Sequence, residues 1–485
     1  MKIRPDPSVN PVTRSAGGIA EAVPATSWPR LRLALIGLGI SVVPLDTSVN
    51  IAFPDITGSF GLPIPMIQWV VICYVLTHAG LMLALGRVGD IWGHALIFRA
   101  GLIWSIAAFL LCAAAPSFGW LLFFRFLQGI GAGLIISCAP ALVTGLYPEA
   151  RRSHALGIFT LMFALGSAVG PLIGGALVAQ WGWPAVFWFR APIALTSLLL
   201  LRGLPRGADA GSDQRFDIAG AIMLAAGLVS LLLAVNALPR LKEGDYLALL
   251  LIPAAGASLA GFVWWEGRAA QPIVRIELFR HSRFAIVNLA AALMYMLTFS
   301  VMLIGPYFLV HYTGLTLPQA GLVLASGFVA MALTSPVAGR VVARIGAGRV
   351  APLGALATGA GLFSIGGWHP DTAPLLMVAS LAIHGIGLGL FQVAYMELVM
   401  AASPVAHRGV AGSLAMLTRT IGTVTGAALL MLGFQMIASA ARAEGAGDAT
   451  AFLTAFDTMF RLAGIAAALT GGLVAWSARR PAAAR

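Results

Sequence analysis

A series of fourteen apolar segments constrains this chain more than any other feature, because each is long enough to cross a hydrocarbon layer of about 30 Å. Only 10% of the 485 residues are charged, and the mean hydropathy is +0.91. Soluble domains cannot bury so much apolar surface, so we predict an all-α integral membrane protein. The predicted spans are 31–54, 67–86, 96–115, 119–145, 155–180, 184–203, 217–238, 246–266, 284–312, 317–338, 350–369, 373–403, 409–437 and 453–478.

The positions of the basic residues predict the orientation of the chain. With a cytoplasmic N-terminus, 23 of the 30 Lys and Arg residues fall in cytoplasmic segments or at the cytoplasmic ends of spans, three in outer loops and four deeper within spans. This bias follows the positive-inside rule. We therefore expect both termini in the cytoplasm and attribute the net charge of +12 to topology, so no nucleic-acid partner is expected.

An internal repeat divides the chain into two related parts. A shift of 256 residues aligns Gln128–Gly133 (QGIGAG) with His384–Gly389 (HGIGLG), and a shift of 253 aligns Gly86–Gly93 with Gly339–Gly346. Repeats of this kind place a substrate path between the halves, near the midplane of the membrane. The repeat predicts two six-helix bundles with two extra central helices, fourteen spans in all.

These observations predict the following organisation along the chain. The parts are a disordered cytoplasmic arm (1–30), an N-terminal six-helix bundle (31–203), a cytoplasmic linker (204–216), two extra central transmembrane helices (217–266), a cytoplasmic interfacial helix (267–283), a C-terminal six-helix bundle (284–478) and a cytoplasmic tail (479–485).

Five motifs, in order along the chain, carry a family resemblance. They are PLDTSVNIAFP (Pro44–Pro54), QWVVICYVL (Gln68–Leu76), GRVGDIWG (Gly86–Gly93), LLFFRFLQGIGAG (Leu121–Gly133) and GSAVGPLIGG (Gly166–Gly175). Together they resemble the fourteen-helix drug:proton antiporter branch of the major facilitator superfamily. The resemblance implies export of amphipathic small molecules or drugs in exchange for protons, by alternating access across the inner (plasma) membrane.

The resemblance also implies which partners to expect. They are a small-molecule substrate, protons and the lipid bilayer, and we expect a monomer without cofactors. The sequence has no ATP-binding GxxxxGK[ST] motif, no metal-ligand cluster and no catalytic nucleophile motif, so no enzymatic activity is expected. Two alternatives stay open: a facilitator or dedicated exporter of one endogenous metabolite or siderophore, and a non-transporting membrane sensor or scaffold.

Three charged residues inside the predicted spans are candidates for proton coupling: Asp46, Arg125 and Glu397. An unpaired charge at the centre of a span costs roughly 2.5–3.5 kcal/mol, so such residues need a polar partner or cavity. Asp46 could instead cap a helix near the outer mouth, and Glu397 could pair with Arg408. Asp46 lies eight residues before Pro54, one fewer than in the pattern it resembles, and one residue turns a helical side chain by about 100°.

Glycine-rich motifs are the candidates for gating. The antiporter motif contributes Gly166, Gly170, Pro171, Gly174 and Gly175, whose spacing puts small residues on one helix face and permits close helix approach. Tight packing alone would also explain this face.

The motif after the second span is the other gating candidate. It contributes Gly86, Asp90 and Gly93, with Asp90 capping the next helix or pairing across the two halves. Ile91 and His94 stand where the resembled pattern carries basic residues.

Polar and aromatic residues within spans are candidates for lining the substrate cavity, although most such residues simply pack. They are Asn50, Trp69, Tyr74, Gln128, Gln392 and Tyr395. Arg190 is interpreted as an interfacial arginine that extends outward. His78 and His384 are interpreted as packing residues.

Overall fold

The computed structural model describes residues 29–145, 152–201, 217–238, 246–269, 282–401 and 408–479, and these ranges contain helices and no strands. The first half comprises α1 (Pro29–Ser41), α2 (Ser48–Ile51), α3 (Phe53–Ser59), α4 (Gln68–Trp92), α5 (His94–Ala113), α6 (Phe118–Gly145), α7 (Arg152–Trp181), α8 (Ala185–Trp188) and α9 (Arg190–Leu200). Two central helices follow, α10 (Ile218–Ala237) and α11 (Leu247–Glu266). The second half comprises α12 (Ser282–Leu303), α13 (Gly305–His311), α14 (Leu317–Ile345), α15 (Ala347–Gly366), α16 (Pro374–Ala401), α17 (Arg408–Ala443) and α18 (Asp448–Arg479).

The described helices are those of a multi-span membrane protein. Nine are long and apolar enough to cross a membrane, and residues 35–59 make a tenth span if their bent pair is counted as one. Large apolar side chains cover the outside of the bundle, such as Leu333 (71% exposed) and Leu375 (77% exposed). A lipid environment satisfies such a surface, so the prediction of an all-α membrane protein is confirmed.

Several predicted segments lie outside the described residues. They are the N-terminal arm up to residue 28, the linker at 202–216, residues 270–281 of the interfacial helix and the tail from residue 480. The side chain of Asp90 also lies outside the described part of the chain.

The first predicted span is a broken helix and not a continuous one. A short 3₁₀ turn at Pro44–Thr47 interrupts it, and α3 bends away from the preceding segment by 61°. Pro44 begins the 3₁₀ turn and Pro54 is the second residue of α3, and both are positions where the missing backbone N–H of proline is tolerated. Counting 100° per residue from Pro54 therefore says nothing about where Asp46 points.

The break is fixed against α7. Thr47 Oγ1 donates a hydrogen bond to the carbonyl oxygen of Ser167 over 3.0 Å. Gly170 and Gly174 give the broken segment room, because a Cβ added at Gly170 would lie 2.1 Å from Thr47 Oγ1 and one at Gly174 would lie 2.8 Å from the carbonyl oxygen of Ser48.

The two halves join at one end of the bundle, which we call the Tyr307 end and which holds Thr57, Gly175, Tyr307 and Leu317. Tyr307 of α13 lies within hydrogen-bonding distance of Thr57 Oγ1 (3.2 Å) and donates to the carbonyl oxygen of Phe53 (3.3 Å). A Cβ added at Gly175 would lie 2.4 Å from the carbonyl oxygen of Leu317. Helices α7 and α14 are therefore in backbone contact across the two halves.

The opposite end, which we call the Gly93 end, contains the helix junctions α4–α5 and α14–α15. Gly93 and Gly346 occupy these junctions with φ values of +92° and +87°. This backbone conformation favours glycine. The two residues are equivalent under the 253-residue repeat, so the two halves turn in the same way here.

Candidate functional site

The side chain of Asp46 lies in the break of the first span and forms a bidentate ion pair with Arg125. Arg125 Nη1 donates to Oδ1 over 2.7 Å, and Nη2 donates to Oδ2 over 2.8 Å. Arg125 belongs to α6 and is 1% exposed, whereas Asp46 is 14% exposed. Two parallel charge-assisted hydrogen bonds fix both the distance and the plane of the carboxylate.

Arg190 is the second cation on the same carboxylate. Its Nη1 donates to Asp46 Oδ1 over 2.7 Å, and its side chain is fully buried. Arg190 begins α9, its Nε donates to the carbonyl oxygen of Val186, and its guanidinium lies 4.5 Å from the ring centre of Phe109. The interpretation of Arg190 as an outward-pointing interfacial residue is therefore wrong, because this helix face turns toward α5 and Asp46 instead.

Two of the predicted cavity residues belong to this cluster. Gln128, one turn after Arg125, donates to Asp46 Oδ1 over 2.9 Å and accepts a hydrogen bond from Arg125 Nη1 over 2.9 Å. Tyr74 is 5% exposed, and its ring centre lies 4.3 Å from the Arg125 guanidinium. Both side chains contact the ion pair, and their place in a substrate cavity stays a prediction.

The cluster has an excess of positive charge. One carboxylate faces two guanidinium groups, so its formal charge is +1 with Asp46 ionised and +2 with Asp46 protonated. Arg190 Nη2 is buried without a hydrogen-bond partner among the described residues. A buried ion pair is stable only when its remaining hydrogen-bonding groups are satisfied, so a change of charge on Asp46 disturbs every member of the cluster.

The other predicted cavity residues are distributed over both halves. Asn50 is half-buried in α2, and Trp69 packs in an apolar cluster that contains Ile72 of α4 and Val424 of α17. Gln392 lines a cavity in the second half. Tyr395 is 1% exposed and donates to Asn288 Oδ1 over 2.9 Å, so it packs inside the second half and does not face open space.

Glu397 is not brought to Asp46. It lies exposed on α16 in the second half. The side chain of its possible partner, Arg408, is outside the described residues, so that pairing stays a prediction.

The glycine candidates lie at both ends of the bundle. Gly166, Gly170 and Gly174 face the broken first span, and Pro171 and Gly175 face α14, where a Cβ added at Gly321 would lie 2.3 Å from the carbonyl oxygen of Pro171. Gly86 lies within α4, and Gly93 ends that helix. No group of three or more potential metal-binding side chains occurs among the described residues.

The model of the Major Facilitator Superfamily matches residues 34–287 and 287–485. The chain belongs to this superfamily. It is 30% identical over 405 residues to the multidrug resistance protein Stp of Mycobacterium tuberculosis (strain CDC 1551 / Oshkosh), covering 82% of this chain and 75% of Stp. The protein is therefore a multi-pass membrane transporter of this superfamily and not an enzyme.

Two further similarities of this transporter are to a second relative and to a solved structure. It is 27% identical over 399 residues to the riboflavin transporter RibZ of Clostridioides difficile (strain 630), covering 82% of this chain and 86% of RibZ. Its fold is similar to the crystal structure of a bacterial homologue of the human lysosomal transporter Spinster, in an inward-facing and unoccupied conformation. The TM-score is 0.65 at 18% identity, over 93% of this chain and 96% of that one.

Proposed function

We propose that this transporter exports amphipathic small molecules in exchange for protons, by alternating access across the inner (plasma) membrane. The observation that carries the proposal is the position of Asp46, a largely buried carboxylate in the 3₁₀ turn of the first span, held by Arg125 and Arg190. Intramembrane acids with named partners are candidates for proton relays. A break in a span is also a common place for a coupling site in secondary transporters.

Proton binding at Asp46 supplies a physical basis for coupling. A proton on one Asp46 oxygen removes the negative charge that holds two guanidinium groups in place, and the cluster then carries a formal charge of +2. While Asp46 is ionised, its charge favours the arrangement in which both guanidinium groups contact it. Once Asp46 is protonated, the two guanidinium groups repel each other and a different arrangement of the cluster is favoured. A bound proton shifts a conformational equilibrium only through such a difference between states.

The glycine face of α7 connects this cluster to the second half. Gly170 touches the broken span on one face, while Pro171 and Gly175 touch α14 on another. A movement of the break therefore changes the contact that joins the halves at the Tyr307 end. In the proposed cycle, closure at this end alternates with closure at the Gly93 end, and the Tyr307 end faces the outside.

We infer that the chain crosses the membrane fourteen times with both termini in the cytoplasm. Ten spans follow from helix length and hydropathy, counting the bent pair as one. The other four predicted spans also fall on helices of the structure: Gln68–Trp92, Ala185–Leu200, Ile218–Ala237 and Ala347–Gly366. An even number of crossings agrees with the distribution of Lys and Arg residues.

A dedicated exporter of one metabolite is the second candidate function. The relative named as a riboflavin transporter favours it. The range of transported compounds separates the two candidates: a multidrug exporter moves chemically unrelated amphipathic compounds, whereas a dedicated exporter moves one.

Proton movement in proteoliposomes tests the coupling. The purified full chain is reconstituted with a pH-sensitive dye inside the vesicles, and ethidium, riboflavin and 2-naphthoate are added in turn. We expect at least one compound to drive proton movement, and Asp46→Asn to reduce it at least tenfold while substrate binding persists. Glu397→Gln is the matched control, since Glu397 is an exposed carboxylate on α16 of the second half. Normal proton movement with Asp46→Asn and loss with Glu397→Gln would reverse the two assignments.

A further inference from the structure

The second half contains a cavity of about 120 Å³ between α12, α14, α16 and α17. Apolar side chains such as Phe299, Met302 and Phe328 form most of its wall. Several polar side chains, among them Arg419, His384 and Gln392, interrupt this apolar surface. An apolar pocket with a few converging polar groups is the usual form of a small-molecule binding site.

Arg419 has no counter-ion in the part of the chain that the structure describes. Its contact there is with the ring of Tyr295, whose centre lies 5.7 Å from the guanidinium carbon. None of the residues that line the cavity is acidic. By contrast, Arg442, near the end of α17, pairs with Asp448, and Arg461, within α18, pairs with Asp457. A cation inside a membrane span requires a partner, and the cavity in front of Arg419 leaves room for an external one.

His384 provides an independent sign of a missing ligand. It is 7% exposed and lines the same cavity, and its Nε2 atom is buried without a hydrogen-bond partner among the described residues. The backbone at His384 is fixed by tight packing, because a Cβ added at Gly361 would lie 2.5 Å from its nitrogen. Buried polar atoms are nearly always hydrogen-bonded, so a group that enters the cavity would complete His384 as well as Arg419.

We propose that this cavity binds the anionic end of an amphipathic substrate. Arg419 pairs with a carboxylate or sulfonate, and His384 and Gln392 supply hydrogen-bonding atoms beside it. The apolar wall holds the adjacent hydrocarbon or aromatic body. This inference rests on the proposed export function and names the class of substrate.

The charge of the first half agrees with an anionic substrate. The cluster of Asp46, Arg125 and Arg190 is formally positive in either protonation state of Asp46. A cationic substrate would therefore be repelled by Arg419 and by the excess of positive charge in the first half. A neutral substrate would leave Arg419 without a counter-ion.

Calorimetric binding to the purified full chain in lipid nanodiscs tests the site with three compounds of matched shape. They are 2-naphthoate (anionic), 2-naphthamide (neutral) and 2-naphthylmethylamine (cationic). We expect 2-naphthoate to bind at least tenfold more tightly than either of the others. We expect Arg419→Gln to abolish this preference, and Arg419→Lys to keep part of it because it keeps the charge.

Arg442→Gln is the matched control. Arg442 lies on the same helix as Arg419, is exposed and pairs with Asp448, so the preference for 2-naphthoate should be unchanged. A size-exclusion profile shows whether each variant is folded. Equal affinity for 2-naphthoate and 2-naphthamide in the native chain would overturn the proposal, as would a preference that survives Arg419→Gln.

The proton-movement assay separates this proposal from the proposed function. If Arg419 selects the anion but no compound drives proton movement in the native chain, the proton-coupled function fails and the binding site stands. If Asp46→Asn abolishes proton movement but Arg419→Gln binds 2-naphthoate like the native chain, the binding site alone fails.

Discussion

The two halves of the molecule share a backbone plan but differ in the chemistry at their centres. In the first half, Asp46, Arg125 and Arg190 form a buried network of charges. In the second half, Asn288 Oδ1 accepts hydrogen bonds from Tyr395 (2.9 Å) and Thr418 (3.2 Å), and that network is neutral.

The internal repeat allows the charged and the neutral half to be compared position by position. Leu381 occupies the place that Arg125 occupies in the other half and is 1% exposed. Because the surrounding backbone is related, the difference lies in the side chains and not in the architecture. A charged network responds to a proton and a neutral one much less, so the proposed proton coupling belongs to the first half and the proposed substrate site to the second.

Helix packing is common to both halves, and breaking it should have the largest effect. A Cβ added at Gly170 would lie 2.1 Å from Thr47 Oγ1, and one at the equivalent Gly426 would lie 2.7 Å from the carbonyl oxygen of Met296. Leucine at either position must displace a neighbouring helix. We expect Gly170→Leu and Gly426→Leu each to reduce proton movement at least tenfold while the protein still inserts into the membrane.

Gly433→Leu is the control for both substitutions. Gly433 lies on α17, and a Cβ added there meets nothing within 4 Å, so near-native activity is expected. Full activity of Gly170→Leu would show that its contact with the broken span is not needed for transport. A loss in only one half would show that the equivalent contacts do different work.

The second prediction ranks the two arginines within the charged half. Arg125 donates to both oxygens of Asp46, whereas Arg190 donates to one. Hydrogen bonds to charged groups contribute about 1.5–3 kcal/mol. In double-mutant cycles on stability we expect a coupling of roughly 3 kcal/mol between Asp46→Asn and Arg125→Gln, and roughly 1.5 kcal/mol between Asp46→Asn and Arg190→Gln.

Each cycle compares the native chain, the two single variants and the double variant. Their thermal unfolding, monitored by size exclusion, measures which arginine is coupled more strongly to Asp46. Exposed Asp448 and its partner Arg442 form the control pair, for which a coupling of about 0–1 kcal/mol is expected. An equal or larger coupling for Arg190 would mean that Arg190 is the main counter-ion of Asp46.

The sequence predicted the membrane fold because hydropathy and charge distribution act over whole segments. It also selected Asp46, Arg125 and Gln128, since intramembrane charges with polar neighbours are rare. It could not bring them together, because the 3₁₀ turn at Pro44–Thr47 changes the direction of the Asp46 side chain. Helical spacing applies only within a continuous helix.

Arg190 was misinterpreted for a related reason. An arginine beside aromatic residues near a span end is typical of the membrane interface. The sequence feature that indicates its position is Asp46. This residue is the one acid inside the predicted spans of the first half, which contain more than one arginine. The intramembrane arginines of the first half outnumber its intramembrane acids. This imbalance favours an arrangement in which two arginines share the carboxylate of Asp46.

The smallest predicted effect concerns the neutral network of the second half. Tyr395→Phe removes one hydroxyl and its hydrogen bond to Asn288, but Thr418 still donates to the same oxygen. We expect a loss of about 1 kcal/mol in stability, with proton movement reduced less than twofold. Tyr246→Phe is the control, because Tyr246 is 68% exposed. The melting temperature of this variant should match that of the native chain. If Tyr395→Phe instead abolished proton movement as completely as Asp46→Asn, the neutral network would take part in coupling, and the division of work between the halves would be wrong. The comparison holds if the charged network of the first half controls the response to protons and the neutral Asn288 network of the second half contributes only stability.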